Sequence, residues 1–404
     1  MSDGPKESIA IRTHNKHITS ITSDQLIDIF DIYSDEGLIE RPFVHEALEK
    51  RSITISVIRK EAESLNIPWQ LFLLEPDKLT ATINLIKNKR SAKFDKRLIA
   101  SRDGSGRGVS LRIADRVIAL QEYAKTNVTT PNGFNNSLKL LNQTECVAHL
   151  LSFFDIDPER LHGRTKISTL EYLTGRFEAK NIRVARGVLT NKMLPGASDI
   201  RATYKKSSGF IVHDYNLPYI FLPSEISERE ESTGRQILTL ISLVILLGKG
   251  EHNILVNGQL EVQYNANKHL KNAFEIAGRI LLPEEVSEEL REKNIDAAIR
   301  DELASEYMLT PSAVVITLRN RGVIETDETA DALLESIPVH SGSTSFARTP
   351  KIETSIRKFC GNTTASEMMS DISNGRLGST AAQYLLFGHV DKKHFAKLKA
   401  GMGL

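Results

Sequence analysis

Eleven histidines supply most of the chain's metal-ligating nitrogen, and no two of them stand four residues apart. The sequence therefore lacks His-Glu-x-x-His, in which two imidazoles on one helix face grip zinc and the glutamate between them activates its water. His213, His252 and His269 could meet in one domain, and Asp214 or Glu251 would then complete a scattered ligand set. Ordinary hydrogen-bonding roles for such histidines are the commoner outcome. The pair His45 and Glu49 reads as a contact on a helix surface. Ser242 lies inside the apolar run Ile237 to Leu247, without the G-x-S-x-G turn that presents a serine nucleophile. Cys146 and Cys360 are the only cysteines, too few for a disulfide framework or a cysteine zinc site, and they suit a reducing cytoplasm. No cofactor is expected from these residues.

A second kind of chemistry is offered by residues 87–116, which carry ten Lys/Arg against three Asp, a local net of +7. Lys87, Lys89, Arg90, Lys93, Lys96, Arg97 and Arg107 are the candidates for contact with phosphates or an acidic partner, where cations gain affinity by releasing counterions. A solvated helix face accounts for the same charges, because no aromatic side chains interleave to stack on bases. The loop Asp103-Gly-Ser-Gly-Arg-Gly108 is not a P-loop, since it lacks the Gly-Lys-Ser/Thr ending that holds phosphates and magnesium.

The elements that must position these residues follow from composition and periodicity. The chain has 404 residues, 40% hydrophobic and 25% charged, with a formal charge of +1. That length fits two to three domains, and the balance excludes a disordered chain or one coated all over with nucleic acid. The apolar run Ile237 to Leu247 is 11 residues, too short for a bilayer, which needs roughly 20, so no membrane partner is expected. Residues 1–22 read as a polar arm. Helical spacing begins at Ser23, with Ser23 or Asp24 placed to cap, and continues in Phe43 to Lys50 and in a stretch ended by Pro68. Ile182 to Leu189, Ser208 to His213 and Pro218 to Leu222 read as three short strands, and the rest from Ser232 is mainly helical, with one further strand near Ile254. The fold class expected is α+β and predominantly helical: a helical N-terminal domain, a small α+β domain with about three strands, and a C-terminal helical module.

The order of features from Ile167 onward resembles the ImmA/IrrE family of zinc-peptidase-like proteins. The resemblance is carried by Thr169-Leu-Glu-Tyr-Leu, Asn181-Ile-Arg-Val, Ser208-Gly-Phe-Ile-Val and Pro218-Tyr-Ile-Phe-Leu. It extends through Gly234-Arg-Gln-Ile-Leu-Thr-Leu-Ile-Ser-Leu-Val-Ile-Leu-Leu-Gly, similar to the family's GRQIFTLxHELGHLLL, and Ala273-Phe-Glu-Ile-Ala-Gly-Arg-Ile-Leu-Leu-Pro. The stretch Leu303 to Ile324, containing SEYMLTPSAVVITLRNRGVI, matches a later family pattern. Aligned on Thr239-Leu240, the resemblance places Ser242, Leu243 and Leu246 where the family has His, Glu and His, and a one-residue slip places Ile241, Ser242 and Ile245 there instead. The family's third ligand is a glutamate just before the Ala-Asn stretch, and Lys268 to Asn272 contains no carboxylate, which makes Asn272 the fourth vestigial position.

Residues 60–74 resemble the segment that joins a helix-turn-helix to the peptidase domain in long members of the family. Residues 341–404 are similar to the tail of those members. The resulting division is a polar arm (1–22), a helix-turn-helix-like domain with a basic connector (23–110), an ImmA/IrrE-like domain (111–325) and a C-terminal helical module (326–404). What the resemblance implies, given the aliphatic replacements, is a cytoplasmic pseudo-peptidase that binds a repressor or toxin without cutting it. Its setting would be a prophage, mobile element, stress response, toxin-antitoxin pair or phage defence. DNA binding through residues 23–116 is the alternative, and a metallopeptidase with relocated ligands is a third reading. A homo-oligomer is compatible with all three.

Overall fold

Alternating apolar residues in Ile9-Ala-Ile11 and an amphipathic run from Ser23 give the N-terminal part of the chain two surfaces that must bury against each other. The computed structural model describes residues 8–13, 16–33, 42–64, 67–94, 98–100, 111–128, 130–187, 209–222, 233–250, 255–256, 259–260, 268–337, 351–387 and 390–401. It divides into two compact units, one built mainly from Met1–Asp95 and the other mainly from Arg116–Val188 and Lys206–Leu404. Among the described residues, no helix is long and apolar enough to cross a membrane.

In the first unit, β1 (Ser8–Thr13) pairs antiparallel with β2 (Lys16–Thr22) and parallel with β3 (Ser52–Thr54), giving the strand order β2-β1-β3. Residues 8–13 and 16–22 are thus paired strands and not the polar arm expected, because Ile9, Ile11 and Ile21 share one face and are buried there. Helices α1 (Ser23–Tyr33), α2 (Pro42–Lys50), α3 (Ile55–Ser64) and α4 (Pro76–Phe94) cover that face, with Leu26, Phe30, Ile58, Phe72 and Leu79 in the shared core. The link between α2 and α3 is not a free turn, since it contains β3, hydrogen-bonded along β1. Thr22, and neither Ser23 nor Asp24, caps α1: its Oγ1 accepts from Gln25 N at 3.1 Å while Gln25 Oε1 accepts from Thr22 N at 2.9 Å. Gln25 Nε2 also donates to the Pro76 carbonyl and to Thr80 Oγ1, both at 2.8 Å, which fastens α1 to α4.

The second unit is predominantly helical around a sheet of order β4-β6-β7-β5, formed by β4 (Leu98–Ala100), β5 (Arg183–Arg186), β6 (Phe210–Val212) and β7 (Tyr219–Leu222). Its fourth strand, β4, emerges from within the basic strip and pairs antiparallel with β6. A short ribbon, β8 (Leu255–Val256) and β9 (Gln259–Leu260), lies outside that sheet. Helices follow in the order α5 (Leu111–Lys125), α6 (Gln143–Phe153), α7 (Lys166–Glu178), α8 (Thr233–Lys249), α9 (Lys268–Leu281), α10 (Glu284–Glu289), α11 (Ala297–Glu306), α12 (Pro311–Asn320) and α13 (Asp327–Glu335). The chain then forms α14 (Ile352–Cys360), α15 (Asn362–Ser373), α16 (Ser379–Phe387) and α17 (Lys392–Gly401). The protein is of the predominantly helical α+β class.

The C-terminal helices dock on β5 through a tight turn at Gly361, whose φ is +74°. A Cβ there would stand 2.8 Å from Glu178 Oε1 and 3.0 Å from the Val184 carbonyl, so both backbone angle and space require glycine.

Candidate functional site

Helix α8 is the element that the zinc-binding resemblance would make catalytic, and its composition dictates otherwise. From Ile237 to Leu247 every residue except Leu238 is buried, and α8 packs on α9, α7 and β7. Burying each leucine of that run contributes about 1.5–3 kcal/mol, the ordinary work of a core helix. Its C-terminal end is closed by residues 134–141: Leu138 N donates to the Gly248 carbonyl at 2.8 Å, and Lys249 Nζ donates to the Leu141 carbonyl at 2.8 Å. A Cβ on Gly248 would meet the Leu138 side chain at 2.7 Å and the Phe134 ring at 2.8 Å, so the helix ends in direct contact with that loop. Phe134 in turn lies 4.6 Å from Phe154, which meets Phe177 of α7 at 4.8 Å, ring centre to ring centre.

The positions that the resemblance aligns with zinc ligands, Ser242, Leu243, Leu246 and Asn272, lack the chemistry of a zinc site. Ser242 is 0% exposed, and its Oγ donates to the Leu238 carbonyl at 2.8 Å, a back-bond within the helix. Leu243 and Leu246 are buried and their side chains have no lone pair to offer. Asn272 Oδ1, on the neighbouring α9, accepts from Gln143 Nε2 at 2.8 Å, and the same amide donates to Glu275 Oε2 at 2.9 Å. Thus the carboxylate nearest in sequence to Asn272 on α9 is already engaged. The residues present do not fit a divalent zinc ion held by imidazoles and a carboxylate.

The scattered alternative is not assembled among the described residues. His213 follows β6, half-buried, with its ring edge-on to Tyr215 at 5.2 Å between centres. Asp214 beside it accepts from Lys125 Nζ at 2.8 Å and from the backbone N–H groups of Asn216 and Leu217. Burial works against ionisation of Asp214, but Lys125 and the two N–H groups outweigh it and hold the carboxyl below its ordinary range. His252 and Glu251 lie outside the described residues, and His269 begins α9 with its side chain outside them too. Among the described residues, no group of three or more His, Cys, Asp or Glu side chains is placed to hold a metal ion. Cys146 and Cys360 are both free and buried, and burial pushes the Cys360 thiol up to about 12, so it is no thiolate at neutral pH.

Of the basic strip, Lys87 is committed to Asp28 at 2.6 Å within the first unit, while Lys89 is exposed. The side chains of Arg90, Lys93, Lys96, Arg97 and Arg107 lie outside the described residues.

The polar cluster that sequence reasoning missed lies where α7 and β5 meet α14 and α15. Arg183, 3% exposed on β5, donates from Nη2 to Glu367 Oε1 at 2.7 Å and from Nη1 to the Glu178 carbonyl at 3.4 Å. Glu178 Oε2 accepts from Thr363 Oγ1 at 2.7 Å and from Thr363 N at 3.2 Å. Asp371 accepts from Tyr123 OH at 2.5 Å and from Arg376 at 2.7 Å, and Tyr219 OH donates to the Cys360 carbonyl. Burial, with added repulsion from Glu178 and Asp371, outweighs Arg183 and leaves the Glu367 carboxyl above its ordinary range. These partners are separated by up to 248 residues, and the only local signal was two arginines, Arg183 and Arg186, in an otherwise apolar strand. The cluster locks the C-terminal helices onto the sheet. It is a structural network in which Glu178 Oε1, Arg183 Nε and Glu367 Oε2 are buried without a hydrogen-bond partner among the described residues.

The chain matches no family model, no curated protein and no solved structure.

Proposed function

We propose that this protein is a non-catalytic, peptidase-like regulatory protein that binds a protein partner, a repressor or a toxin, without cleaving it. The reading rests on one observation above all. The helix standing where the ImmA/IrrE resemblance expects a zinc-binding helix is an aliphatic core element whose hydroxyl at the aligned position, Ser242, is spent on its own backbone. A chain that had merely lost one ligand would leave polar partners around the gap. Here Leu243 and Leu246 are packed into a core, so stability and not chemistry sets these positions. Such a protein keeps a surface for recognising a polypeptide and forgoes the hydrolysis, within a mobile-element, stress-response, toxin-antitoxin or phage-defence system.

The test is to mix the purified chain with the product of the adjacent gene and follow both complex formation and the length of the partner. A stable complex in which the partner stays intact over hours is expected. Progressive cleavage abolished by a zinc chelator would overturn the reading, and so would the absence of any complex with the neighbouring product or with proteins captured from the host under repressing and damaging conditions.

A further inference from the structure

The C-terminal residues 351–401 carry eight Lys/Arg against four Asp/Glu, a net of +4 in a chain whose total is +1. The structure sorts these charges by depth. Of the acids, Glu367 is paired with Arg183, and Asp371 with Arg376 and Tyr123. Asp391 caps α17, accepting from His394 N at 3.0 Å and facing His394 Nδ1 at 2.5 Å. Glu353 is half-buried against Gly401 at the end of α17. The remaining cations stay outside. Lys351, Arg357 and Lys358 on α14, and Lys392, Lys393 and Lys397 on α17, are exposed, and Lys399 is half-exposed. Among the described residues none of these seven lies in an ion pair, whereas exposed cations elsewhere such as Lys50, Arg59 and Arg291 are matched by carboxylates one helical turn away.

The two helices pack on each other, α14 also rests on β5, and Ile356, Phe359, Phe395 and Leu398 of the pair are buried. The cations therefore ride on a rigid pair of helices. Each helix is about 15 Å long at 1.5 Å per residue, comparable to four or five base-pair steps of a duplex.

We propose that the α14–α17 face is a second interaction surface of this protein, which binds the phosphate backbone of double-stranded nucleic acid without reading its sequence. Charge complementarity selects a polyanion. The aromatic residues of these helices, Phe359 and Phe395, are buried, so the face offers nothing for unpaired bases to stack on, and this favours duplex over single strand. Backbone N–H donors and lysines positioned on phosphates give affinity without base recognition. This surface is independent of the peptidase-like reading and of residues 87–116.

Fluorescence anisotropy of the full chain with a labelled duplex of two helical turns, over a salt series, tests it. With about four phosphates neutralised, the logarithm of affinity should fall against the logarithm of salt with a slope of about −3.5. The double substitution Lys393→Glu with Lys397→Glu should weaken binding at least about tenfold, and Lys393→Gln with Lys397→Gln should flatten the slope by about 2. Charge reversal at Lys139 and Lys293, exposed elsewhere, should leave both unchanged. All variants alter exposed side chains, and an unchanged thermal midpoint confirms that each is folded. Absent or salt-insensitive duplex binding overturns the proposal. So does a slope carried wholly by Lys93, Lys96 and Arg97, or binding to polyglutamate with none to duplex, which would make the face a dock for an acidic protein.

Discussion

Leu243→Glu, which places a glutamate where the proposed ImmA/IrrE resemblance would have one, is expected to destabilise the protein by at least about 4 kcal/mol at neutral pH. Leu243 is 0% exposed, with the sheet strand β7 and helices α7 and α9 packed around α8. A carboxylate placed there loses its hydration, and the backbone N–H groups beside it in α8 are already used within the helix. Against a typical domain stability of about 5–15 kcal/mol, the loss removes from roughly a quarter to most of it. The sign of its pH dependence follows from burial. The introduced carboxyl would have its folded pKa raised above an unfolded value near about 4.3, so its proton stays on in the folded state. The variant's deficit is therefore smallest below that value and grows as pH rises, by about 1.4 kcal/mol per pH unit until the folded pKa is passed. Leu243→Met, which conserves volume, should cost less than about 1.5 kcal/mol. Urea unfolding of both variants beside the parent at acidic and neutral pH checks this. Near-parental stability of the glutamate variant at neutral pH would show that the position opens onto a polar cavity.

The second large effect is expected at Arg183. Removing its guanidinium with Arg183→Ala leaves Glu367 beside Glu178 and Asp371 without its paired cation, which costs about 3–5 kcal/mol. In a double-mutant cycle with Glu367→Ala, the second substitution should recover part of the loss, a coupling of about 1–3 kcal/mol. The pH dependence can be signed as well. Burial, reinforced by Glu178 and Asp371, already holds the Glu367 carboxyl above its unfolded value. Its contribution to stability is thus fully present below the unfolded pKa and is lost as pH rises through the folded one. Glu367→Gln should accordingly lose less stability than the parent between mildly acidic and neutral pH, and Arg183→Ala should lose more. Additive effects in the cycle, or identical pH profiles for all three proteins, would mean that solvent screens the pair.

What could be read along the chain was whatever is encoded within a few residues. The aliphatic run of α8 has to be buried wherever it goes. The apolar strands β5, β6 and β7 are bounded by turn residues at both ends. Pro311 at the first position of α12, with Thr310 Oγ1 accepting from Ala313 N at 3.1 Å, is a helix start written in four residues. The failures share one cause, which is that the deciding partner is distant. Ile9 and Ile11 look like isolated apolar residues in a polar arm until β3, some forty residues on, supplies the other edge of β1. Leu98-Ile-Ala is three residues between cations, too short to announce a strand, and becomes one only by pairing with β6 at Phe210–Val212. The Glu178–Arg183–Glu367 cluster joins segments about 185 residues apart, and neither charge pattern nor periodicity carries that information. Of the candidate site, the identity of Ser242, Leu243 and Leu246 was legible, and it is the identity of these side chains that decides the chemistry. Their complete burial and the Ser242 back-bond required the fold.

The account stands most directly on the metal content of the protein itself. Chain purified without chelator, then incubated with equimolar zinc and desalted, should retain less than about 0.1 zinc per chain by elemental analysis, because a tight site requires three or more nitrogen, sulfur or carboxylate donors converging on one point. Retention near one zinc per chain, displaced by substitution of His213, His252 or His269, would contradict it.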